Sequence, residues 1–104
     1  ADGEGEGSPD LVLNTAIRRI FPNPSASPTI DVSLAKDSQL QLSVYNLRGQ
    51  LIRKVFEGNK SEGIHYIHWD GRDSAGTTCA SGVYFVALKT DGKEIQRSRL
   101  ILHK

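Results

Sequence analysis

Apolar residues occupy every second position in two neighbouring segments of the chain, 30–34 and 40–44. A period of two is expected of a strand with one buried face, because successive side chains of a strand point to opposite faces. Elsewhere the apolar residues form short runs separated by Gly, Pro, Asn and Asp, and no run keeps a helical period long enough to predict a helix. The pattern predicts an all-β chain.

Two turn signals predict hairpins between these strands. Residues 46–49, Asn-Leu-Arg-Gly, end on a glycine, where a turn commonly needs a positive φ angle, and apolar positions resume in 50–56. Asp91-Gly92 separates the β-formers of 83–90 from those of 93–103 and is the strongest short hairpin signal in the chain. Each turn is therefore expected to join two antiparallel neighbours.

The second of these turns also predicts a register. A two-residue turn sets Leu88 opposite Ile95, so that an apolar residue pairs with an apolar one. Continued along the strands, the same register sets Tyr84 opposite Arg99 on a face that should be apolar. We therefore predict a β-bulge within 97–100.

Two further segments, 11–20 and 64–69, bring the count to about seven strands. This number and spacing are typical of an immunoglobulin-like antiparallel β-sandwich. Ile67 and Trp69 share one face of their strand and are predicted to point inward. With 104 residues the chain is long enough for one core and too short for two.

The first ten residues, ADGEGEGSPD, are acidic, rich in glycine and free of large apolar side chains. This composition predicts a flexible linker over 1–10, followed by the sandwich over 11–104. A linker at this position implies either a further domain upstream or a segment that is not native to the protein.

Charge and composition exclude several classes of partner. Thirteen basic and twelve acidic residues leave a net charge of +1, which provides no general attraction to nucleic acid or to anionic membranes. No apolar run approaches the roughly 20 residues of a membrane span, and the first residues lack the pattern of a signal peptide. Cys79 is the single cysteine, so the sequence predicts no intrachain disulfide.

Residues 73–76, Asp-Ser-Ala-Gly, contain the serine that comes nearest to a nucleophile motif. A nucleophile elbow needs glycine two positions before the serine and a helix after it, whereas Arg72 stands there and no helix is predicted. We interpret 73–76 as a turn and expect no catalytic residues.

Metal ligands are also weakly indicated. His65 and His68 are three residues apart, which places them on opposite faces of a strand rather than at one zinc ion. Asp70 and Asp73 offer carboxylate oxygens that could hold calcium, but without the ligand spacing of an EF-hand they are better explained as caps of their own turn. We expect no metal and no cofactor.

Aromatic and basic residues suggest two further surfaces. A sugar-stacking platform would require two or three exposed, coplanar rings among Tyr45, Tyr66, Trp69, Tyr84 and the phenylalanines, and burial of Tyr66, Trp69 and Tyr84 would rule against it. Four arginines near the two ends of the sandwich are interpreted as a solvated strand face, since no aromatic residues are interleaved with them: Arg18, Arg19, Arg97 and Arg99.

Four motifs follow one another along the chain: FPNP at 21–24, VYNLRGQ at 44–50, HWDGRDSAG at 68–76 and ASGVYF at 80–85. The three prolines at 22, 24 and 28 remove strand hydrogen-bond donors and hold the chain extended, as at a sheet edge. In this order the motifs resemble the C-terminal sorting domain of proteins exported by the type IX secretion system. The immunoglobulin-like domain of the flagellar hook-capping protein belongs to the same superfamily.

The resemblance covers about 17–104 and implies a non-catalytic sandwich placed last in a larger protein. That protein would be exported through the periplasm of a Gram-negative bacterium and be secreted or held at the cell surface. The implied partners are an upstream cargo domain of the same chain and the secretion machinery at the outer membrane, and we expect the domain to be monomeric. The family's sorting positions correspond here to Pro22, Asn23, Pro24, Gly82, Tyr84, Arg99 and Lys104. Its structural positions correspond to Gly49, Trp69, Asp70, Gly71, Asp73 and Gly76.

Two alternative functions remain. The domain could be a carbohydrate-binding or adhesive accessory module of a secreted enzyme, or a structural assembly domain like that of the hook cap. In the sorting family the domain ends the protein, as this sequence does, whereas the hook-cap sandwich is interrupted by another domain. The terminal position therefore favours sorting.

Overall fold

The computed structural model describes residues 13–23 and 25–103, and this part of the chain contains seven strands and no helix. The strands are β1 (Ala16–Phe21), β2 (Thr29–Leu34), β3 (Ser38–Tyr45), β4 (Leu51–Lys60), β5 (Gly63–His68), β6 (Gly82–Thr90) and β7 (Lys93–Leu102). The predicted linker at 1–10 and the predicted start of the first strand at Leu11 lie outside the described residues. The prediction of an all-β fold is confirmed.

The strands form two antiparallel sheets. The smaller sheet has the order β1-β2-β5, and the larger has the order β4-β3-β6-β7. Three strand-to-strand pairings connect neighbours in the sequence, namely β1 with β2, β3 with β4, and β6 with β7. The result is the immunoglobulin-like sandwich that the strand count predicted.

The core lies between the two sheets. Every second residue of 30–34 and 40–44 is fully buried there, as the alternation predicts. The intervening Asp31, Ser33 and Ser43 are buried as well, so the expectation of half-buried strands is wrong at these positions. Ile67 and Trp69 also point inward, as predicted. The complete cluster consists of Ile17, Ile20, Ile30, Val32, Leu34, Leu40, Leu42, Val44, Ile67, Trp69, Tyr84, Val86, Leu88, Leu100 and Leu102.

The β6–β7 hairpin forms at Asp91-Gly92, where both residues have positive φ angles of 52° and 83°. Its predicted register is wrong beyond the first pairs. Leu88 lies opposite Gln96 rather than Ile95, because a bulge at the start of β7 makes Ile95 an extra residue. Ile95 is 41% exposed.

The predicted position of the bulge, near 97–100, is therefore wrong: pairing is regular from Gln96 to Leu102, and the bulge lies nearer the turn. One inserted residue at position 95 shifts the rest of β7, so Tyr84 faces Leu100 instead of Arg99. The early bulge lets Leu100 and Leu102 enter the core, where both are buried. Burial of these two leucines selects the register, since a slip by one residue would turn them to solvent.

Candidate recognition surface

Trp69 is the centre of the first structural motif. Its side chain is 1% exposed, and its indole N–H donates a hydrogen bond to the carbonyl oxygen of Arg72 at 3.0 Å. Its ring meets the ring of Tyr84 edge-on, with centroids 6.0 Å apart. Asp70 accepts a hydrogen bond from the Arg72 amide at 3.0 Å, and Gly71 completes this loop with a φ angle of 77°. Trp69-Asp70-Gly71 thus packs and closes a loop.

The turn that follows is organised by Asp73. Its Oδ1 atom accepts hydrogen bonds from the amides of Ala75 and Thr77, both at 2.9 Å. Gly76, at a φ angle of 85°, donates its amide to the Asp73 carbonyl. The Ser74 hydroxyl donates to the carbonyl of Ile52 at 3.1 Å, which attaches the turn to β4. Both side chains are used in holding this turn.

His65 and His68 lie on β5, outside this turn, and their rings do not meet. His65 is half-buried and contacts the Ser61 carbonyl oxygen at 2.7 Å through Nε2. His68 is exposed on the other face of β5, where its Nε2 lies 2.8 Å from the Ser27 hydroxyl. The two rings point to opposite faces, as their spacing predicted.

Tyr84 connects the Trp69 loop to the last two strands. It is largely buried, and its hydroxyl donates to the Ala80 carbonyl oxygen at 2.7 Å. Burial, and to a smaller extent the nearby Cys79 side chain, raises the pKa of Tyr84. Cys79 itself packs against the hydrophobic core.

We expect Tyr84→Phe to lower the free energy of unfolding by about 1 kcal/mol, because one internal hydrogen bond is lost. Because the pKa of Tyr84 is raised in the folded state, its contribution is complete below pH 10.0 and declines at higher pH. The difference between the two proteins should therefore shrink as the pH rises above that value. Urea unfolding at several alkaline pH values measures it, with the exposed Tyr66→Phe as the control; a constant difference would contradict the linkage.

Two residues that follow β1, Asn23 and Ser25, bind the end of β7. The Asn23 side chain accepts a hydrogen bond through Oδ1 from the Ile101 amide at 3.0 Å. Ser25 forms a parallel bridge with Leu102, in which its amide donates to the Ile101 carbonyl at 3.2 Å and its carbonyl accepts from the His103 amide at 3.0 Å. Asn23 and Ser25 therefore cover the outer edge of the terminal strand.

The other edge of the same strand end is paired with β6. Gly82 lies opposite Leu102, and Tyr84 lies opposite Leu100. We call the set of Asn23, Ser25, Gly82, Tyr84 and 100–103 the terminal-strand cluster. It brings three predicted sorting positions, Asn23, Gly82 and Tyr84, from two separate parts of the sequence to the end of β7.

The remaining predicted sorting positions lie outside this cluster. Arg99 is exposed beside this cluster and lies opposite Phe85. Pro22 is exposed next to Asn23, after a cis peptide bond. Pro24 and Lys104 lie outside the described residues. Sequence reasoning missed Ser25, since an ordinary serine within 22–28 gives no signal of strand pairing.

A shallow groove of about 310 Å³ adjoins the terminal-strand cluster. One side is the β3–β4 turn, where Gly49 has a φ angle of 81° and Leu47 is largely exposed. The other side is the start of β6, including Gly82 and Tyr84. Two motifs, VYNLRGQ at 44–50 and ASGVYF at 80–85, thus both contribute residues to one concave surface.

We expect Asn23→Ala to loosen the end of β7, because the Ile101 amide loses its acceptor. The loss in unfolding free energy should be about 1 kcal/mol, the usual value for one such bond. Hydrogen exchange at the Ile101 amide should accelerate more than exchange in the middle of β7. Asn59→Ala, on exposed β4, is the matched control, and equal exchange in both variants would contradict the role of Asn23.

The sugar platform required by the carbohydrate alternative is not formed by the three aromatic residues considered. Trp69 and Tyr84 are buried, while Tyr66 is 62% exposed. Tyr66 meets Phe21 at 83°, so these two rings are perpendicular rather than coplanar. These three residues therefore form no flat platform, although Tyr66 remains exposed.

The four arginines separate into two pairs. Arg18 and Arg19 approach Asp31 on the smaller sheet. Arg97, on the larger sheet, forms an ion pair with Glu94 at 2.8 Å and lies over the Tyr45 ring, 4.7 Å from its centroid. The hydrogen bond from Arg97 lowers the pKa of Glu94. The predicted solvated face is thus two surfaces, one on each sheet.

Similar structures share this sandwich. Dimeric latent PorU from Porphyromonas gingivalis is 20% identical with a TM-score of 0.67, over 81% of this chain and 9% of that chain. PorZ, an essential surface component of the type IX secretion system of the same organism, is 21% identical with a TM-score of 0.56, over 83% and 11%. FlgD from P. aeruginosa is 21% identical with a TM-score of 0.61, over 85% and 76%.

These identities establish a shared fold, and the chain spans only a small part of PorU and PorZ. No curated protein sequence matches the chain. The described residues contain no helix long and apolar enough to cross a membrane. A sequence model of the FlgD Ig-like domain matches residues 19–94, which include the five complete strands β2 to β6. The chain therefore belongs to the family of FlgD Ig-like domains.

Proposed function

We propose that this domain is a non-catalytic sorting module of a larger exported protein, recognised by type IX secretion machinery at the outer membrane. The observation that carries the proposal is the terminal-strand cluster. Asn23 and Ser25 hold one edge of 100–103, while Gly82 and Tyr84 lie on the other. This arrangement presents one defined strand end for recognition.

The surroundings of the cluster support recognition rather than chemistry. Ile101 and His103 are exposed at its surface, and the groove between the β3–β4 turn and β6 is open beside it. The serine and aspartate of the 73–76 turn are used in backbone hydrogen bonds. Likeness to domains of PorU and PorZ supports the same system. We infer an upstream cargo domain, passage through the periplasm, delivery to the surface or medium, and a monomeric state.

A fusion in a type IX-secreting bacterium tests the proposal. A periplasmic reporter is placed before the whole chain, and deletion of residues 100–104 is expected to leave the reporter in the periplasm. Because Leu100 and Leu102 belong to the core, a second variant must preserve the fold. Ile101→Glu changes an exposed side chain and should reduce surface delivery while urea unfolding stays normal.

The matched control is Asn59→Ala, which alters an exposed residue of β4 and should be delivered like the unaltered chain. Normal delivery of the deletion variant would overturn the proposal. Retention of the control to the same degree as Ile101→Glu would also overturn it, because the effect would then not depend on the terminal-strand cluster.

The likeness to FlgD favours a second candidate, a structural assembly domain of the hook-cap type. That structure is matched over 76% of its length, far more than PorU or PorZ. The two functions differ in what precedes the domain in its parent. A flagellar sequence upstream of Ala1 would favour assembly, and an enzyme or adhesin there would favour sorting.

A further inference from the structure

The smaller sheet carries an irregularity that brings two consecutive arginines to one carboxylate. Ile17 pairs with Val32 and Arg19 pairs with Asp31, so Arg18 is an extra residue at a bulge in β1. In a regular strand, neighbouring side chains would point to opposite faces. Here Arg18 Nη1 lies 3.8 Å from Asp31 Oδ1, and Arg19 Nε lies 3.5 Å from Asp31 Oδ2.

Asp31 forms the floor of this arrangement. Its side chain is 1% exposed, and neither oxygen accepts a hydrogen bond from any residue of the described structure. A buried carboxylate is costly unless opposite charge compensates it, and the two guanidinium groups supply that charge. Two positive groups over one negative group leave a local charge of +1.

The guanidinium groups keep their donors for another partner. Each arginine has five N–H donors in a planar fork that matches carboxylate and phosphate oxygens. Arg18 and Arg19 are 44% and 64% exposed, and neither side chain donates a hydrogen bond to Asp31. Asp31 holds both groups by charge without occupying their donors.

An aromatic wall adjoins the two arginines. The Arg19 guanidinium lies over the Phe21 ring, 4.3 Å from its centroid, and Phe21 meets Tyr66 with centroids 6.4 Å apart. Tyr66 is opposite Asp31 in the sheet and is largely exposed. Cationic donors and an exposed apolar ring therefore lie side by side on one sheet face.

We propose that Arg18, Arg19, Asp31, Phe21 and Tyr66 form a binding site for an oxyanion, a carboxylate or phosphate group attached to an aromatic or other apolar moiety. The arginine forks bind the anion, Tyr66 packs against the apolar part, and Asp31 is a positioning residue. The site lies on the smaller sheet, away from the terminal end of β7, and does not depend on the sorting proposal.

NMR titration of the arginine Nε–Hε signals tests the site at constant ionic strength. The probes are acetate, benzoate, inorganic phosphate and phenyl phosphate, with sodium chloride as the screening control. Saturable shifts of Arg18 and Arg19 are expected, and the aromatic probes should bind about fivefold more tightly than their simple counterparts because of Tyr66. Comparison of benzoate with phenyl phosphate identifies the preferred anion.

Variants separate this site from general attraction of anions. Arg19→Gln should abolish saturation, whereas Arg19→Lys, which keeps the charge beside Asp31 but lacks the fork, should weaken binding about tenfold. Tyr66→Ala should remove the advantage of the aromatic probes. Arg99→Gln, an exposed arginine on the other sheet, should bind like the unaltered protein.

Three results would overturn the proposal: no saturable shift with any probe, equal shifts with sodium chloride, or equal binding by Arg19→Lys and the unaltered protein. Thermal unfolding of each variant confirms that the fold is retained. The lysine variant keeps the test decisive even where the glutamine variant is unstable.

Discussion

Replacing Trp69 with alanine is expected to lower the free energy of unfolding by about 3–5 kcal/mol, the range for deleting a large buried aromatic side chain. Trp69 is 1% exposed, packs edge-on against Tyr84 and donates its indole N–H to Arg72. The substitution would leave a cavity, an aromatic ring without its partner and a carbonyl without its donor. Because a domain of this size is stabilised by only about 5–15 kcal/mol, much of the margin would be lost.

Urea unfolding measures this loss of stability. Two further variants separate the contribution of buried area from that of the hydrogen bond and from that of an exposed ring. Trp69→Phe keeps most of the buried area but loses the N–H donor, so an intermediate loss is expected. Tyr66→Ala removes an exposed aromatic residue of β5 and should lower the free energy of unfolding by less than about 1 kcal/mol. Equal losses for Trp69→Ala and Tyr66→Ala would show that the Trp69 loop is not part of the stabilising core.

The double substitution Arg18→Gln with Arg19→Gln is expected to destabilise the domain by about 2–3 kcal/mol, because Asp31 would remain buried without opposite charge. The value is at the low end for a broken buried ion pair, since both guanidinium groups are partly exposed and water screens them. Adding Asp31→Asn should restore much of the loss, because the uncompensated charge is then removed.

Urea unfolding of the double and triple variants checks this reasoning. Rescue by Asp31→Asn distinguishes a charge effect from a packing effect, since loss of the arginine stems would persist in the triple variant. The matched control is Arg97→Gln with Arg99→Gln on the other sheet, where the described structure buries no carboxylate. Equal losses in the two double variants would contradict the role of Asp31.

Strands and turns were predictable from the sequence where contacts over a few residues determine the local structure. Alternation in 30–34 and 40–44 identified two strands, because only one of their faces meets the core. Asp91-Gly92 identified a hairpin, because both residues adopt positive φ angles that few other pairs tolerate. The turn after Trp69 was equally local, since Asp73 bonds to amides two and four residues ahead.

Bulges were not predictable from these rules. The hairpin pattern required an extra residue somewhere in β7, but its location at Ile95 depends on which leucines fill the core opposite β6. The bulge at Arg18 had no signal at all. Alternation also predicted that Asp31 would face solvent, whereas its side chain is buried beside Arg18 and Arg19. The position of the bulge in β7 and the burial of Asp31 both depend on contacts with residues that are distant in the sequence.

The amino-acid sequence alone therefore established the fold class, two hairpins, the inward face of Ile67 and Trp69, and the motifs that resemble a sorting domain. These features depend on period, turn chemistry and contacts over a few residues. Only the tertiary structure decided that Asn23 binds Ile101, 78 residues away, and that Gly82 and Tyr84 lie on the other edge of the same strand end. The contact of Asn23 depends on the packing of the two sheets, whereas the positions of Gly82 and Tyr84 depend on the register that burial of Leu100 and Leu102 selects within one sheet.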